Sequence, residues 1–337
     1  MNWKRWVATL AAIVLSACAI PRTAPVPASA TGAATRGAVP DKRARVTFYP
    51  DTTGDAVLEG IVAGPDGALW FTDIGNSIVG RITTSGSYTL QKVVSQPSNG
   101  ITVGPDKHLW FTLSAGGIGR MSTSGKVKFF SDPQGSSPRG ITTGPDGALW
   151  FAQSDGTVGR ITMKGKLTHF TVAPGNAHLY GIVTGPDRNL WITQQTVNST
   201  RLTDQVFRLT PKGKVTVFTV GFGPTWICVG PDKALWFTER GANAIGRLTT
   251  DGKYTEFPTN FKYGDPSGIA LGPDGALWFT DFDDRFGIGR ITVKGKFRFF
   301  KVPSVSDGEF RQITAGPDGA MWFTSYLNPG VGRITTQ

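Results

Sequence analysis

Short apolar runs separated by turn residues recur along most of the chain. In one stretch, "GITTGP" (140–145), "ALWF" (148–151), "VGRIT" (158–162) and "KLTHF" (166–170) are rich in β-branched and aromatic residues, which is typical of β-strands. A Pro-Asp-Gly sequence separates the first run from the second and favours a tight turn. None of these runs has a period of 3.6 over ten residues, so no helix is expected. The stretch therefore predicts a unit of four short strands.

This unit repeats seven times. Gly-Pro-Asp begins at Gly64, Gly104, Gly144, Gly185, Gly230, Gly272 and Gly316. A tryptophan follows each at a fixed distance, namely Trp70, Trp110, Trp150, Trp191, Trp236, Trp278 and Trp322. Four-stranded units of about 42 residues are typical of propeller blades. We therefore expect an all-β fold, a seven-bladed β-propeller with four-stranded blades, in which the Trp rings fill the space between neighbouring sheets.

The two ends of the sequence predict how the ring closes. The segment "RVTFY" (45–49) resembles the fourth strand of a unit, whereas the last segment, "VGRITTQ" (331–337), resembles a third strand. The N-terminal strand is therefore expected to join the last blade as its outer strand, which leaves no long inner edge unpaired. The propeller is predicted to span residues 45–337.

The N-terminus has the pattern of a lipoprotein signal. Two basic residues precede a short apolar run (7–15), and "LSAC" (15–18) fits the lipobox, whose cysteine becomes the lipidated first residue of the mature chain. Residues 1–17 are thus predicted to be a signal peptide, and Cys18 a lipidation site. The alternative is an ordinary cleavable signal followed by a chance cysteine.

Residues 18–44 are rich in Ala, Pro and Thr and lack a periodic apolar pattern, so a disordered tether is expected. These features predict an exported protein, anchored in a membrane and facing the periplasm or the cell exterior. Export separates it from nucleic acid. The formal net charge of +11 therefore favours weak attraction to anionic lipids or cell-wall polymers instead. We expect a monomer.

Familiar catalytic motifs are absent from the sequence. It contains no Ser-His-Asp arrangement, His-Glu-x-x-His, Cys-x-x-Cys or phosphate-cradling glycine loop. The three histidines are His108, His169 and His178. His108 lies within a repeat and His169 on a predicted outer strand, so both are expected on the solvated surface.

The residues that decide function are expected where the repeats differ from one another. In a propeller, the loops before each first strand and after each second strand emerge on one face, around the channel mouth. The first variable set comprises Glu59, Asn99, Arg139, Tyr180, Thr225 with Trp226, Ser267, and Arg311 with Gln312. The second comprises Asp73, Leu113, Gln153, Gln194, Glu239, Asp281 and Ser325, with Arg240, Phe282 and Tyr326 one residue later.

Aromatic, cationic and acidic residues that converge on one mouth are typical of a ligand site. We expect a small molecule, peptide or glycan to bind there, through Glu59, Asn99, Arg139, Tyr180, Trp226, Ser267, Arg311 and Tyr326. The alternative is that these residues only satisfy the hydrogen bonds of the loop backbone.

The phrases "GPDKALWFTER" (230–240) and "ANAIGRLTTDGKYTEF" (242–257), together with the seven units and the strand offset at the ends, resemble the virginiamycin B lyase family of seven-bladed propellers. The resemblance covers about residues 45–337. It implies linearisation of streptogramin B antibiotics by elimination at the ester. In that reaction a histidine removes a proton while Mg²⁺, held by glutamates, stabilises the developing negative charge.

The sequence departs from this pattern at three of the four positions that the resemblance implies. Ser267 occupies a histidine position, Arg311 replaces the proton-transferring histidine, and Ser325 stands where a second metal-binding glutamate is expected. Glu309 matches the first such glutamate. Because a guanidinium stays protonated, Arg311 cannot act as a base, and one carboxylate beside a fixed cation is a poor Mg²⁺ site.

Three functions remain open. The first is a non-catalytic binding propeller with no certain cofactor. The second is an enzyme, either an Mg²⁺-dependent lyase with rearranged residues or another lyase or hydrolase that uses Asp265 and Glu309, both also candidate metal ligands. The third is a scaffold for envelope proteins. Carboxylates of Glu59, Asp265 and Glu309 that converge on one point would favour the enzyme, whereas ion pairs with Arg139 and Arg311 would disfavour it.

Overall fold

The structure, a computed structural model, describes residues 44–134, 136–173, 177–196, 204–261, 264–281, 287–303 and 309–335. Within these ranges the chain forms 28 β-strands and no helix, so the described residues include no helix that could cross a membrane. The all-β prediction is confirmed. The predicted signal peptide, Cys18 and the tether up to residue 43 lie outside the described residues.

The strands follow one another as the repeats predict. The first is β1 (Arg45–Pro50), and blade 1 contains β2 (Leu58–Ala63), β3 (Leu69–Asp73), β4 (Ile78–Ile82) and β5 (Tyr88–Lys92). Blade 2 contains β6 (Pro97–Val103), β7 (Leu109–Leu113), β8 (Ile118–Met121) and β9 (Val127–Phe130). Blade 3 contains β10 (Pro138–Thr143), β11 (Leu149–Gln153), β12 (Thr157–Ile161) and β13 (Leu167–Thr171). Blade 4 contains β14 (Ala177–Thr184), β15 (Leu190–Thr196), β16 (Asp204–Leu209) and β17 (Val215–Val220).

The remaining blades repeat the arrangement. Blade 5 contains β18 (Pro224–Val229), β19 (Leu235–Glu239), β20 (Ala244–Leu248) and β21 (Tyr254–Pro258). Blade 6 contains β22 (Pro266–Leu271), β23 (Leu277–Asp281), β24 (Gly287–Ile291) and β25 (Phe297–Lys301). Blade 7 contains β26 (Phe310–Ala315), β27 (Met321–Ser325) and β28 (Gly330–Thr335). Blades 1 to 6 are each a four-stranded antiparallel sheet with its strands in chain order.

The N-terminal strand completes the last blade. β1 pairs antiparallel with β28, with Tyr49 opposite Val331, and the sheet order is β1-β28-β27-β26. The predicted closure of the ring is confirmed. Blade 7 therefore contains strands from both ends of the propeller, and the hydrogen bonds between β1 and β28 close the ring.

Each blade buries its tryptophan against the next blade. Trp150 is fully buried in an apolar cluster that includes Ile182 and Ile192 of blade 4. Its ring stacks on Phe170 with the centroids 5.1 Å apart. The prediction that these rings fill the space between neighbouring sheets is confirmed.

The aspartate of each Gly-Pro-Asp turn holds the tryptophan and the arginine of the same repeat. In blade 3, Asp146 accepts hydrogen bonds from Trp150 Nε1 over 3.0 Å and from Arg160 Nε over 2.6 Å. Five other blades make the same contacts, through Asp66, Asp106, Asp232, Asp274 and Asp318. The residues that repeat therefore hold the scaffold together, and the variable residues are left to form the site.

Blade 4 departs from the repeat because the aromatic residue of one cross-strand pair lies on its third strand instead of its second. In blade 3, Phe151 pairs with Gly159 across β11 and β12, and a Cβ added to Gly159 would lie 2.1 Å from the Phe151 ring. In blade 4 the pair is Ile192 and Phe207. Because the smaller side chain is now on the second strand, an aromatic ring fits where the other blades need glycine.

Candidate ligand-binding site at the channel mouth

The first strand of every blade carries one variable residue at the same level of the ring. A threonine on the second strand of the preceding blade can fix this level: Thr112 Oγ1 donates to Arg139 O over 3.1 Å, and Thr324 Oγ1 to Glu59 O over 2.6 Å. These ring residues are Glu59, Asn99, Arg139, Tyr180, Thr225, Ser267 and Arg311. We call the surface around them the mouth.

Arg311 lies at the centre of one polar cluster. Its Nε is 3.5 Å from Glu59 Oε1, and its Nη2 is 3.3 Å from Glu309 Oε2. The guanidinium carbon lies 4.4 Å from the centroid of the Tyr326 ring. Asn99 Nδ2 donates to Glu59 Oε2 over 2.9 Å. Blades 7, 1 and 2 thus meet at the mouth through these side chains.

The Glu59 carboxyl is buried among cationic groups. Burial raises its pKa above the ordinary value, while the charge of Arg311, the hydrogen bond from Asn99 and the charges of Arg139 and Arg240 act in the opposite direction. Three guanidinium groups therefore lie within electrostatic reach of one buried carboxyl.

Arg240 forms a two-point ion pair with Asp265. Its Nε donates to Asp265 Oδ1 over 2.6 Å, and its Nη2 donates to Oδ2. Burial alone would lower the pKa of Arg240, but the hydrogen bonds and charge of Asp265 outweigh it and raise the pKa, with smaller contributions from Tyr180 and Glu309. The Asp265 carboxylate is therefore already hydrogen-bonded to the guanidinium of Arg240.

Arg139 packs on an aromatic face. Its guanidinium carbon lies 4.3 Å from the centroid of the Tyr180 ring, a distance typical of cation–π contacts. His178 lies two residues before Tyr180 on β14. Burial and the charge of Arg139 lower the pKa of His178 below its ordinary value. No motif in the sequence singles out His178, but the structure brings it within electrostatic reach of Arg139.

The second variable set is buried at the ends of the second strands. All seven of its side chains lie in the interior. Asp73 Oδ1 accepts the main-chain N–H of Val57 over 2.8 Å and of Gly75 over 3.0 Å. Asp281 Oδ1 accepts the N–H of Asp265 over 3.1 Å. Asp73 and Asp281 therefore satisfy hydrogen bonds of the loop backbone, which explains a polar residue at these buried positions. Phe282, one residue after Asp281, lies outside the described residues.

Glu239, of the same set, belongs to a small acidic cluster. The Tyr254 hydroxyl lies 2.8 Å and 2.9 Å from the two Glu239 carboxylate oxygens and 3.1 Å from Glu256 Oε2. Burial raises the pKa of Glu239 to about 8, the hydrogen bond from Tyr254 opposes this, and the charge of Glu256 adds to it. Glu239 is therefore largely protonated at neutral pH.

Two further predicted site residues offer little polar surface to a ligand. Ser267 is 3% exposed, and its carbonyl accepts a hydrogen bond from Thr238. Trp226 packs against the apolar cluster between blades 5 and 6, which includes Ile269. The polar part of the mouth consists of Glu59, Asn99, Arg139, Tyr180, Arg240, Asp265, Glu309, Arg311 and Tyr326.

The other histidines have local partners. The expectation that His169 lies on the solvated surface is met only in part: its side chain is 19% exposed, and its Nε2 lies 2.8 Å from Oδ2 of the buried Asp132, in the segment after blade 2. His108 is half-buried, and its Nδ1 lies 2.8 Å from Asp106 O. Both contacts hold parts of the scaffold together.

Comparison with known proteins identifies the family. The profile of the virginiamycin B lyase family matches residues 37–203 and 176–337. This chain belongs to that family. Its structure is similar to a catalytically inactive variant of virginiamycin B lyase from Staphylococcus aureus, solved with quinupristin, with a TM-score of 0.79 and 29% identity over 87% of this chain and 100% of that one.

A second solved structure gives the same result. A streptogramin B lyase matches with a TM-score of 0.78 and 28% identity, over 87% of this chain and 98% of that one. No curated protein matches the chain in sequence. Both structural matches span nearly the whole of the known lyases, so the likeness extends to every blade.

The Mg²⁺ that the family pattern implies does not fit the residues at this mouth. Glu309, at the one metal-binding position that the resemblance retains, lies beside the guanidinium of Arg311, and Ser325, at the second position that the resemblance implies, has no carboxylate. Across the described ranges, no three His, Cys, Asp or Glu side chains form a group that could hold a metal ion. Since hard divalent cations require several oxygen ligands, the fixed positive charge of Arg311 opposes a metal at this place.

Proposed function

We propose that this member of the virginiamycin B lyase family is a lipid-anchored propeller of the cell envelope. At its mouth it binds a small molecule, peptide or glycan, without the histidine-based elimination of the family. Aromatic rings with a few placed charges are typical of ligand sites, and the mouth has this composition. Export and the membrane anchor rest on the lipobox at residues 15–18 and the apolar run before it. Nucleic acid is not proposed as a partner, and the protein is expected to act as a monomer.

The position of Arg311 carries the proposal. This residue replaces the proton-transferring histidine of the family pattern, and its guanidinium lies 3.5 Å from Glu59 and 3.3 Å from Glu309. A guanidinium does not release its proton near neutral pH, so it cannot remove one from a substrate. It also provides at this place the positive charge that a metal would otherwise supply to the two carboxylates.

An active lyase or hydrolase is the second candidate, and His178 is the observation that favours it. Its lowered pKa keeps the imidazole neutral near pH 7, which is the form that accepts a proton. His178 is on blade 4, whereas Glu309 and Arg311 belong to blade 7. Such a reaction would therefore depend on an arrangement different from the family pattern.

Incubation with a streptogramin B antibiotic and Mg²⁺ tests the proposal. We expect the antibiotic to remain cyclic, because no base occupies either histidine position of the family pattern. Liquid chromatography with tandem mass spectrometry is required, since elimination at the ester gives a linear isomer of unchanged mass. Hydrolysis would instead add one water to the mass, so the two reactions are distinguished. Either product from the unmodified protein would contradict the proposal, and a His178→Gln variant would then show whether His178 is the base.

The variant Ser267→His with Arg311→His gives the matched comparison. It restores both histidines of the family pattern, and Lys294→Gln, a remote substitution in an exposed turn, controls for the loss of one positive charge. Elimination by the double variant alone would show that these two positions separate this protein from its catalytic relatives.

A further inference from the structure

Three arginines surround Glu59, and one of them has no carboxylate partner among the described residues. Arg240 is paired with Asp265, and Arg311 lies against Glu59 and Glu309. Arg139 has neither an ion pair nor a hydrogen bond to its Nε within the described parts of the chain, although this Nε is buried. An unpartnered buried donor of this kind is costly unless a ligand or water satisfies it.

The surroundings hold Arg139 in place without neutralising it. Its guanidinium lies over the Tyr180 ring at 4.3 Å, which fixes the plane of the group and leaves its charge intact. Glu59 lies within electrostatic reach, but this buried carboxyl is already hydrogen-bonded to Asn99 and faces Arg311.

Two more polar groups lie close by. Tyr180 provides a hydroxyl and His178 an imidazole, and neither side chain has a hydrogen-bond partner in the described residues. The lowered pKa of His178 leaves it neutral, with one N–H to donate. Blades 3 and 4 therefore bring together a guanidinium that lies over the Tyr180 ring and an imidazole within electrostatic reach of that guanidinium.

We propose that Arg139, Tyr180 and His178 form an anion subsite that binds the carboxylate of a small molecule or of a peptide C-terminus. This inference rests on the proposed binding function of the mouth and adds the chemistry of the ligand. A planar guanidinium matches a carboxylate with two parallel N–H donors. One unpaired cation beside a buried acidic group suits a singly charged anion better than a doubly charged one.

A matched pair of probes tests the subsite. N-acetyl-L-alanine carries a free carboxylate, and N-acetyl-L-alaninamide has the same skeleton without the charge. We expect the acid to bind about tenfold more tightly than the amide, since a hydrogen bond to a charged group adds this much. Titration is followed at fixed pH and ionic strength through the His178 Cε1–H signal in NMR, which the His178→Gln variant assigns among the three histidines. Inorganic phosphate is the third probe, and it is expected to bind more weakly than the acid.

Variants test whether Arg139 causes the preference for the acid over the amide. Arg139→Gln is expected to remove the preference for the acid, whereas Lys294→Gln, which loses the same charge far from the mouth, is expected to retain it. Arg139→Lys is expected to keep only part of it, because an ammonium lacks the planar pair of donors. Equal binding of acid and amide, no binding of either, or a preference that survives Arg139→Gln would overturn the proposal; tighter binding of phosphate would contradict the carboxylate assignment.

The two proposals fail in different ways. Turnover of the antibiotic would contradict the non-catalytic function while leaving the anion preference as measured. Loss of the preference would remove the anion subsite while leaving the absence of turnover unaffected.

Discussion

Replacement of Trp150 by alanine is expected to lower the free energy of unfolding by about 3–5 kcal/mol. The side chain is fully buried in the apolar cluster between blades 3 and 4, so its loss removes contacts from both sheets at once. It also leaves Asp146 without the indole N–H that it accepts. Denaturation in guanidinium chloride, followed by circular dichroism, measures the change.

Val217→Ala is the matched control for this prediction. Val217 is 49% exposed on the outer strand of blade 4, so its truncation is expected to change the free energy of unfolding by no more than about 0.5 kcal/mol. If Trp150→Ala cost no more than Val217→Ala, the tryptophans would not be what holds neighbouring blades together.

Glu239→Gln is expected to make the protein more stable at alkaline pH. The pKa of Glu239 is raised to about 8 in the folded protein, against an ordinary value of 4.5. The stability associated with its protonated form is fully present below pH 4.5 and is lost as the pH rises through 8, because the unfolded chain releases the proton first. Between pH 6 and pH 8 the unmodified protein should lose about 2 kcal/mol that the glutamine variant keeps.

Urea denaturation at a series of pH values measures this effect. Glu256→Gln is the graded comparison: it removes the like charge that helps to raise the pKa of Glu239, so the loss of stability should end at a lower pH and be smaller. If the unmodified protein and Glu239→Gln had the same pH dependence, Glu239 would not have the raised pKa of a buried acid.

The fold could be predicted from the sequence because the turn residues and apolar runs of each repeat indicate where its turns and strands lie. The Gly-Pro-Asp turns and the tryptophans mark seven units, and the fourth-strand pattern at 45–49 predicts the closure with β28. The reason why blade 4 has Ile192 and Phe207 where other blades have Phe and Gly could not be deduced from the sequence. It requires the knowledge that these two residues lie opposite each other on β15 and β16.

The site was predictable in position and less so in its contacts. The order of the strands places Glu59 and Arg311 on the same face of the propeller. Their contact, however, is between blades 1 and 7, and the sequence gives no sign of a contact between residues so far apart in the chain. His178 was missed although a signal existed. Residues two apart on a strand point to the same side, so a residue two before Tyr180 could have been grouped with it.

Fold and family do not settle function in this protein. The chain shares its propeller with known lyases over nearly their whole length, yet the variable residues at its mouth differ in charge from the family pattern. Folds host different chemistry when a few site residues change. In our proposal the decisive residue is Arg311, which stands where the resemblance implies a proton-transferring histidine and places a permanent cation beside Glu309 and Glu59.

Binding of a divalent cation at the mouth would most directly contradict the role proposed for Arg311. Mn²⁺, which can stand in for Mg²⁺ and is detected by electron paramagnetic resonance, is titrated into the unmodified protein and into Glu309→Gln. A variant with Ser267→His, Arg311→His and Ser325→Glu restores the family pattern as the positive control. We predict no difference between the unmodified protein and Glu309→Gln, with Mn²⁺ binding only in the restored variant. A Mn²⁺ site in the unmodified protein that Glu309→Gln abolishes would contradict this prediction.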